Sequence, residues 1–138
     1  VPRSQRKPIH YTLTSGSGDK KYVLTKLYSH ATGITGCRFR MGTESGAELS
    51  MTANGLMVAH AGVTWDGPSG PAVDTVSFMR ASFVHDMLYL AIREGYVGKK
   101  YRKVADKLLR QIAREDGMPL FRAWYAWAGV RLAGWQYV

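Results

Sequence analysis

The 138-residue sequence has a single cysteine, Cys37. A lone thiol excludes an internal disulfide framework and a cysteine-based zinc cluster. No apolar run approaches the length of about 18 residues that a membrane-spanning helix needs, so no span is expected. Acidic residues are few: 10 Asp and Glu stand against 19 Lys and Arg, a net charge of +9. The phosphate-binding loop, the His-Glu-x-x-His zinc motif and the Gly-x-Ser-x-Gly nucleophile turn are all missing. Gly33-Ile34-Thr35-Gly36 is an isolated glycine pair and carries no nucleotide signal. Arg3, Arg6 and Lys7 are followed by a polar, Gly/Ser-rich stretch, so no signal peptide is read there. There are no internal repeats and no low-complexity linker.

What remains is ordinary globular composition, with 46% hydrophobic and 21% charged residues, which argues against a disordered chain. The length predicts one domain over residues 1–138, with residues 1–8 as a flexible basic arm. The positive balance favours contact with polyanions: nucleic acid, phospholipid, a cell-wall polymer or an acidic protein. It does not choose among them.

Residues 1–74 read as strand and turn. Residues 9–13 alternate weakly. The Ser15-Gly16-Ser17-Gly18-Asp19 run is a turn signal, and residues 22–28 are rich in β-branched and aromatic side chains. Residues 37–41 predict a short strand with Arg38 and Arg40 on one face and Cys37 buried in it. Residues 48–60 predict a hairpin turning at Asn54-Gly55, because that pair accepts the positive φ of a tight turn. Residues 62–65 extend or bulge its second strand. The run from Asp66 to Pro71 then ends regular structure.

Residues 75–138 read as three helices. At 100° per residue, residues 75–94 are apolar nearly all round, leaving Ser82, Asp86 and Arg93 as a narrow polar stripe. Such a helix is central and buried. Gly95 and Gly98 end it. Residues 101–115 put Val104, Ala105, Leu108, Leu109 and Ile112 on one face and Lys103, Lys107, Arg110 and Arg114 on the other. Gly117 ends this helix, and Pro119 fits the first turn of the third. There Ala123, Ala126, Gly129 and Ala133 suggest close packing on another helix, with Trp124, Trp127 and Trp135 supplying bulk. The expected class is α+β: a small antiparallel sheet packed on three helices around a buried central one.

His85-Asp86 stands out because it interrupts the most apolar helix. Burying an imidazole and a carboxylate costs several kcal/mol unless they are paired, hydrogen-bonded or metal-bound. Asp66, between a strand and a helix start, is placed either to hold its loop or to bind a ligand. Asp106 falls beside Arg102 and Arg110, where a solvated ion pair one turn apart is expected.

The order Val63-Thr64-Trp65-Asp66-Gly67-Pro68-Ser69, then Ala81-Ser82-Phe83-Val84-His85-Asp86-Met87-Leu88-Tyr89, then Val104-Ala105-Asp106-Lys107-Leu108-Leu109, then the small-residue run from Ala123 to Gly134, resembles a phage and prophage family. It is the one catalogued as domain of unknown function thirteen fifty-three. The resemblance covers residues 48–135, and residues 1–47 match nothing in it. Pro68 stands where that family has alanine. Carried over by position, its polar set is Asp66, Ser69, His85, Asp86, Tyr89 and Asp106.

The resemblance implies a phage origin, a place in the virion or host cytoplasm, and phage structural or host proteins as partners, with an oligomer among the arrangements. It supplies no activity. Three readings follow. In the first, the chain is a virion-associated or accessory module without catalysis, and its polar cluster is structural. In the second, it is a metal-assisted hydrolase of phage entry or lysis, with peptidoglycan as substrate. There Asp66, His85, Asp86 and Asp106 hold a divalent metal, and His85, Asp86 and Tyr89 are the catalytic group, with Tyr89 or Arg93 facing developing charge. In the third, Lys99, Lys100, Arg102, Lys103, Lys107 and Arg110 bind nucleic acid. The first is preferred.

Overall fold

The computed structural model describes residues 7–14, 22–67 and 76–138. The expected turn at residues 15–19, Ser69, and the stretch from Pro68 to Pro71 lie outside the described residues. The class is α+β, and the chain divides into two compact units, Val1–Gly67 and Pro68–Val138.

The first unit holds two antiparallel sheets. One has β1 (Tyr11–Leu13), β2 (Tyr22–Leu24) and β7 (Thr64–Trp65) in the order β1-β2-β7. The other has β3 (Tyr28–Ala31), β4 (Phe39–Gly42), β5 (Glu48–Met51) and β6 (Leu56–Ala59) in the order β3-β6-β5-β4. The period of two along each strand gives the second sheet one buried face. Across it, His30, Met57, Met51 and Phe39 stand in register as one buried row.

The hairpin at Asn54-Gly55 forms as expected, with Gly55 at φ +95° and its N–H donating to Thr52 O at 3.0 Å. Gly55 is required for a second reason. A Cβ there would lie 2.6 Å from the Ile34 carbonyl oxygen.

Three strand expectations change. Residues 22–28 are two strands in different sheets, because the chain breaks at the exposed Thr25, Lys26 and Leu27. Residues 62–65 do not extend β6. Gly62, at φ +102°, turns the chain away so that β7 pairs with β2. Cys37 is half-buried just before β4 rather than buried within a strand.

The second unit holds α1 (Val76–Arg93), α2 (Arg102–Glu115), entered through a 3-10 turn at Lys99–Tyr101, and α3 (Leu120–Ala133), continued by a 3-10 turn at Gly134–Tyr137. Gly95 and Gly117 stop α1 and α2 in the left-handed conformation. The stops are secured by Tyr96 N–H to Ala91 O and Met118 N–H to Ala113 O, both 2.9 Å. As expected, α1 is buried nearly all round.

The helix that packs on both others is α2, not α1. Its buried face is turned from the expected one, so that Val104 is half-exposed and Asp106 and Ala113 are buried. Pro119 is the N-cap of α3, one residue before the helix. The small-residue stripe is not a packing seam. Ala123 is buried, but Gly129 and Ala133 are exposed.

Candidate functional site

The polar side chains that meet in the helical unit converge on Asp106, which is 0% exposed. The expected solvated pair with Arg102 or Arg110 is therefore overturned. Asp106 lies at the edge of the α2 face that carries Ala105, Leu109 and Ala113, and that edge is covered. A carboxylate buried this way needs several donors to replace water.

It has them. Oδ1 accepts the Tyr89 hydroxyl at 2.6 Å and lies 2.7 Å from His85 Nε2. Oδ2 accepts Arg131 Nη1 at 2.9 Å and has Arg102 Nη1 at 3.6 Å. His85 and Tyr89 are four residues apart on α1, so their side chains leave the same face one turn apart, with ring centroids 4.1 Å from each other.

Arg102 extends the cluster. Its guanidinium donates to Val130 O at 2.9 Å, Arg131 O at 3.3 Å and the Tyr89 hydroxyl at 3.4 Å. It thereby caps carbonyls in the last turn of α3. Gly134 lets the chain pass here, since a Cβ at that position would run into the Tyr89 hydroxyl and lie 2.9 Å from Arg102 Nη1. All three helices thus meet on one carboxylate.

Electrostatics follow from this geometry. Burial works against a charged His85, but hydrogen bonds and attraction from Asp106 and Asp86 outweigh it and raise its pKa above the ordinary 6.5. Burial also works against a charged Asp106, yet the His85, Tyr89 and Arg131 donors win and lower its pKa below the ordinary 3.8. The Tyr89 phenol is pushed up by burial and by the neighbouring Asp106 carboxylate. Both shifts favour the charged form of the His85–Asp106 pair, and the shift of Tyr89 favours its neutral phenol.

A second polar tie joins α1 to the end of α2. The Arg80 side chain, 2% exposed, donates to Asp116 at 3.0 and 3.1 Å and to Glu115 at 2.8 Å.

Of the residues singled out from sequence, His85, Tyr89 and Asp106 are brought together. Asp86 lies beside them, its Oδ1 3.7 Å from His85 Nδ1, with its side chain 37% exposed. The buried carboxylate expected at Asp86 is therefore Asp106 instead. Asp66 belongs to the first unit, where it follows β7 and is exposed. Arg93 donates to Tyr137 O at 3.3 Å. Among the described residues, no three His, Cys, Asp or Glu side chains are grouped as a metal ion would need.

Lys99, Lys100, Lys103 and Lys107 are exposed. Arg102 is committed to α3, and Arg110 lies over the Trp127 ring at 4.8 Å. Arg80, Arg131 and Gly134 escaped the sequence reading. The available signal was Arg131 itself, one of only two charges in a largely apolar helix, the other being Arg122 in its first turn.

A family model described as Protein of unknown function (DUF1353) matches residues 45–130. The chain belongs to that family. The family segment runs from just before β5 to near the end of α3, so it contains His85, Tyr89, Arg102 and Asp106 and ends one residue before Arg131. No curated protein and no solved structure matches the chain.

Proposed function

We propose that this chain is a non-catalytic accessory module whose helical unit holds α3 outward as a docking element. The family resemblance points to a phage or prophage setting, with virion or host proteins nearby. One observation carries the non-catalytic reading: both oxygens of Asp106 have hydrogen-bond partners within the protein itself, from α1 and α3, with the Arg102 cation 3.6 Å from Oδ2. A carboxylate held in this way, with no surface exposed to solvent, joins helices rather than facing a substrate. His85 is 6% exposed, and each of its ring nitrogens faces a carboxylate, so neither is offered as a base.

A hydrolytic reading has one observation in its favour. A histidine 2.7 Å from a buried aspartate is the orienting pair of many acid–base sites. In that reading the His85–Asp106 pair would act on peptidoglycan with a divalent metal. That role would require Asp106 to give up Arg131 and Tyr89, so the structural role is favoured.

Elemental analysis of the purified protein, run beside melting curves with and without chelator, separates the two. The module reading expects no stoichiometric metal and no chelator effect. Metal that is retained by the wild type and lost on His85→Ala or Asp106→Asn would overturn it.

A further inference from the structure

The outer side of α3 is apolar and uncovered. At 100° per residue, Leu120, Trp124, Phe121, Leu132 and Tyr125 span an arc of roughly 140°, in which the one charged residue, Arg131, turns to Asp106, and Trp135 follows in the next turn. All six hydrophobic residues are exposed, Phe121 by 74% and Leu132 by 80%. A continuous patch of this kind marks an interaction surface.

Its surroundings name the partner's charge. Lys99, Lys100, Lys103 and Lys107 are exposed along one ridge of the 3-10 turn and α2, the helix on which α3 packs. Arg110 of α2 lies over the ring of Trp127 on α3. Residues 97–138 contain three side-chain carboxylates, and each is already paired: Asp106 with His85 and Arg131, Glu115 and Asp116 with Arg80. The surface charge of α2 and α3 is therefore all of one sign. A second copy would bring two such surfaces together, which like-charge repulsion opposes.

The kind of cation narrows the choice further. Arg102, Arg114 and Arg131, which could grip phosphate or carboxylate with two bonds, are turned onto protein groups. Apart from Arg122, exposed on α3 beside Phe121, the exposed cations of this surface that are not so turned are lysines, mobile point charges suited to a fluid array of anions. Leu120, Phe121 and Leu132 suit hydrocarbon better than the faces of bases. Trp124, Tyr125 and Trp135 are the side chains that settle at the boundary between hydrocarbon and headgroup. No helix of the described residues is long and apolar enough to cross a membrane.

We propose that α3 and the lysine ridge of α2 dock flat on an anionic phospholipid bilayer, with the aromatic face entering the headgroup boundary. This deepens the docking reading and rests on it.

The test uses the full chain with vesicles of phosphatidylcholine alone or mixed with phosphatidylglycerol, followed by co-sedimentation and tryptophan emission. The expected result is binding to the mixed vesicles only, weakened by salt, with a blue shift from the exposed indoles. Lys103→Gln with Lys107→Gln should weaken binding about thirtyfold, from about fivefold per lysine near an anionic surface. Phe121→Ser with Trp124→Ser should abolish it while leaving the melting curve unchanged, because both side chains are exposed.

Equal binding to neutral vesicles would overturn the anionic assignment. Self-association abolished by Phe121→Ser, without vesicle binding, would make the patch an interface between copies. Binding to single-stranded DNA but to neither vesicle would assign it to nucleic acid. A metal-free protein that fails to bind vesicles would overturn the lipid assignment alone, whereas stoichiometric metal would overturn the module reading.

Discussion

His85 Nε2 and Asp106 Oδ1 lie 2.7 Å apart, on different helices, both almost fully withdrawn from water. The pair is the centre of the helical unit, and its energetics differ from those of a surface ion pair. Neither group can be rescued by solvent when the other is removed.

Asp106→Asn keeps the shape and removes the charge. It leaves His85 and Arg131 facing a neutral amide, and one of its atoms becomes a donor opposite donors. We expect a loss of about 3–5 kcal/mol in unfolding free energy, measured by urea titration. Asp86→Ala, at a half-exposed position, should cost less than about 1 kcal/mol. The reverse order would show that the buried charge has been placed on the wrong residue.

The pH dependence follows from the two shifts. The raised His85 pKa gives a contribution that is complete below the ordinary 6.5 and is lost as pH rises through the folded value. The lowered Asp106 pKa gives one that is complete above the ordinary 3.8 and is lost as pH falls through the folded value. The pair therefore contributes most between these two ordinary values. Melting temperatures of the wild type and His85→Gln should differ most there and draw together at alkaline pH. A gap that widened with rising pH would contradict an imidazolium at His85.

Two glycines of the last helical segment should respond in opposite directions. Gly134→Ala drives a methyl group into the Tyr89 hydroxyl and should cost about 1–3 kcal/mol. Gly129→Ala sits in an open helical position with nothing within 4 Å and should stabilise by up to about 1 kcal/mol. Thermal melts of the two variants decide this.

Gly55→Ala combines a left-handed φ of +95° with contact on the Ile34 backbone. A loss of about 2 kcal/mol or more is expected, carried by the hairpin. Amide exchange at Met57 and Ala59 should accelerate in this variant. Unchanged protection there would show that the turn tolerates a side chain.

Some of this architecture is written locally. Asn54-Gly55 between alternating runs specifies a hairpin, and the apolar circumference of residues 76–93 specifies a buried helix, because both signals depend only on neighbours in the chain. Gly95 and Gly117 stop helices for the same reason. The four spaced motifs were enough to mark the family and, through it, Tyr89, and His85 was visible as a polar group in an apolar helix.

Partner choice was not written locally. Residues 22–28 have one strand-like composition, but which sheet each half joins depends on β7 and β6, far along the chain. On its own helix Asp106 looks like half of a solvated ion pair. Only the packing of α2 between α1 and α3 covers that side and delivers Tyr89, His85 and Arg131 to one carboxylate. The sequence alone determined the element types, the positive charge and the residues eligible for a polar centre, since these follow from composition and short-range pattern. The tertiary structure decided which carboxylate is buried, which arginines are consumed inside and which lysines remain outside, because burial and pairing are properties of surfaces brought together from distant parts of the chain.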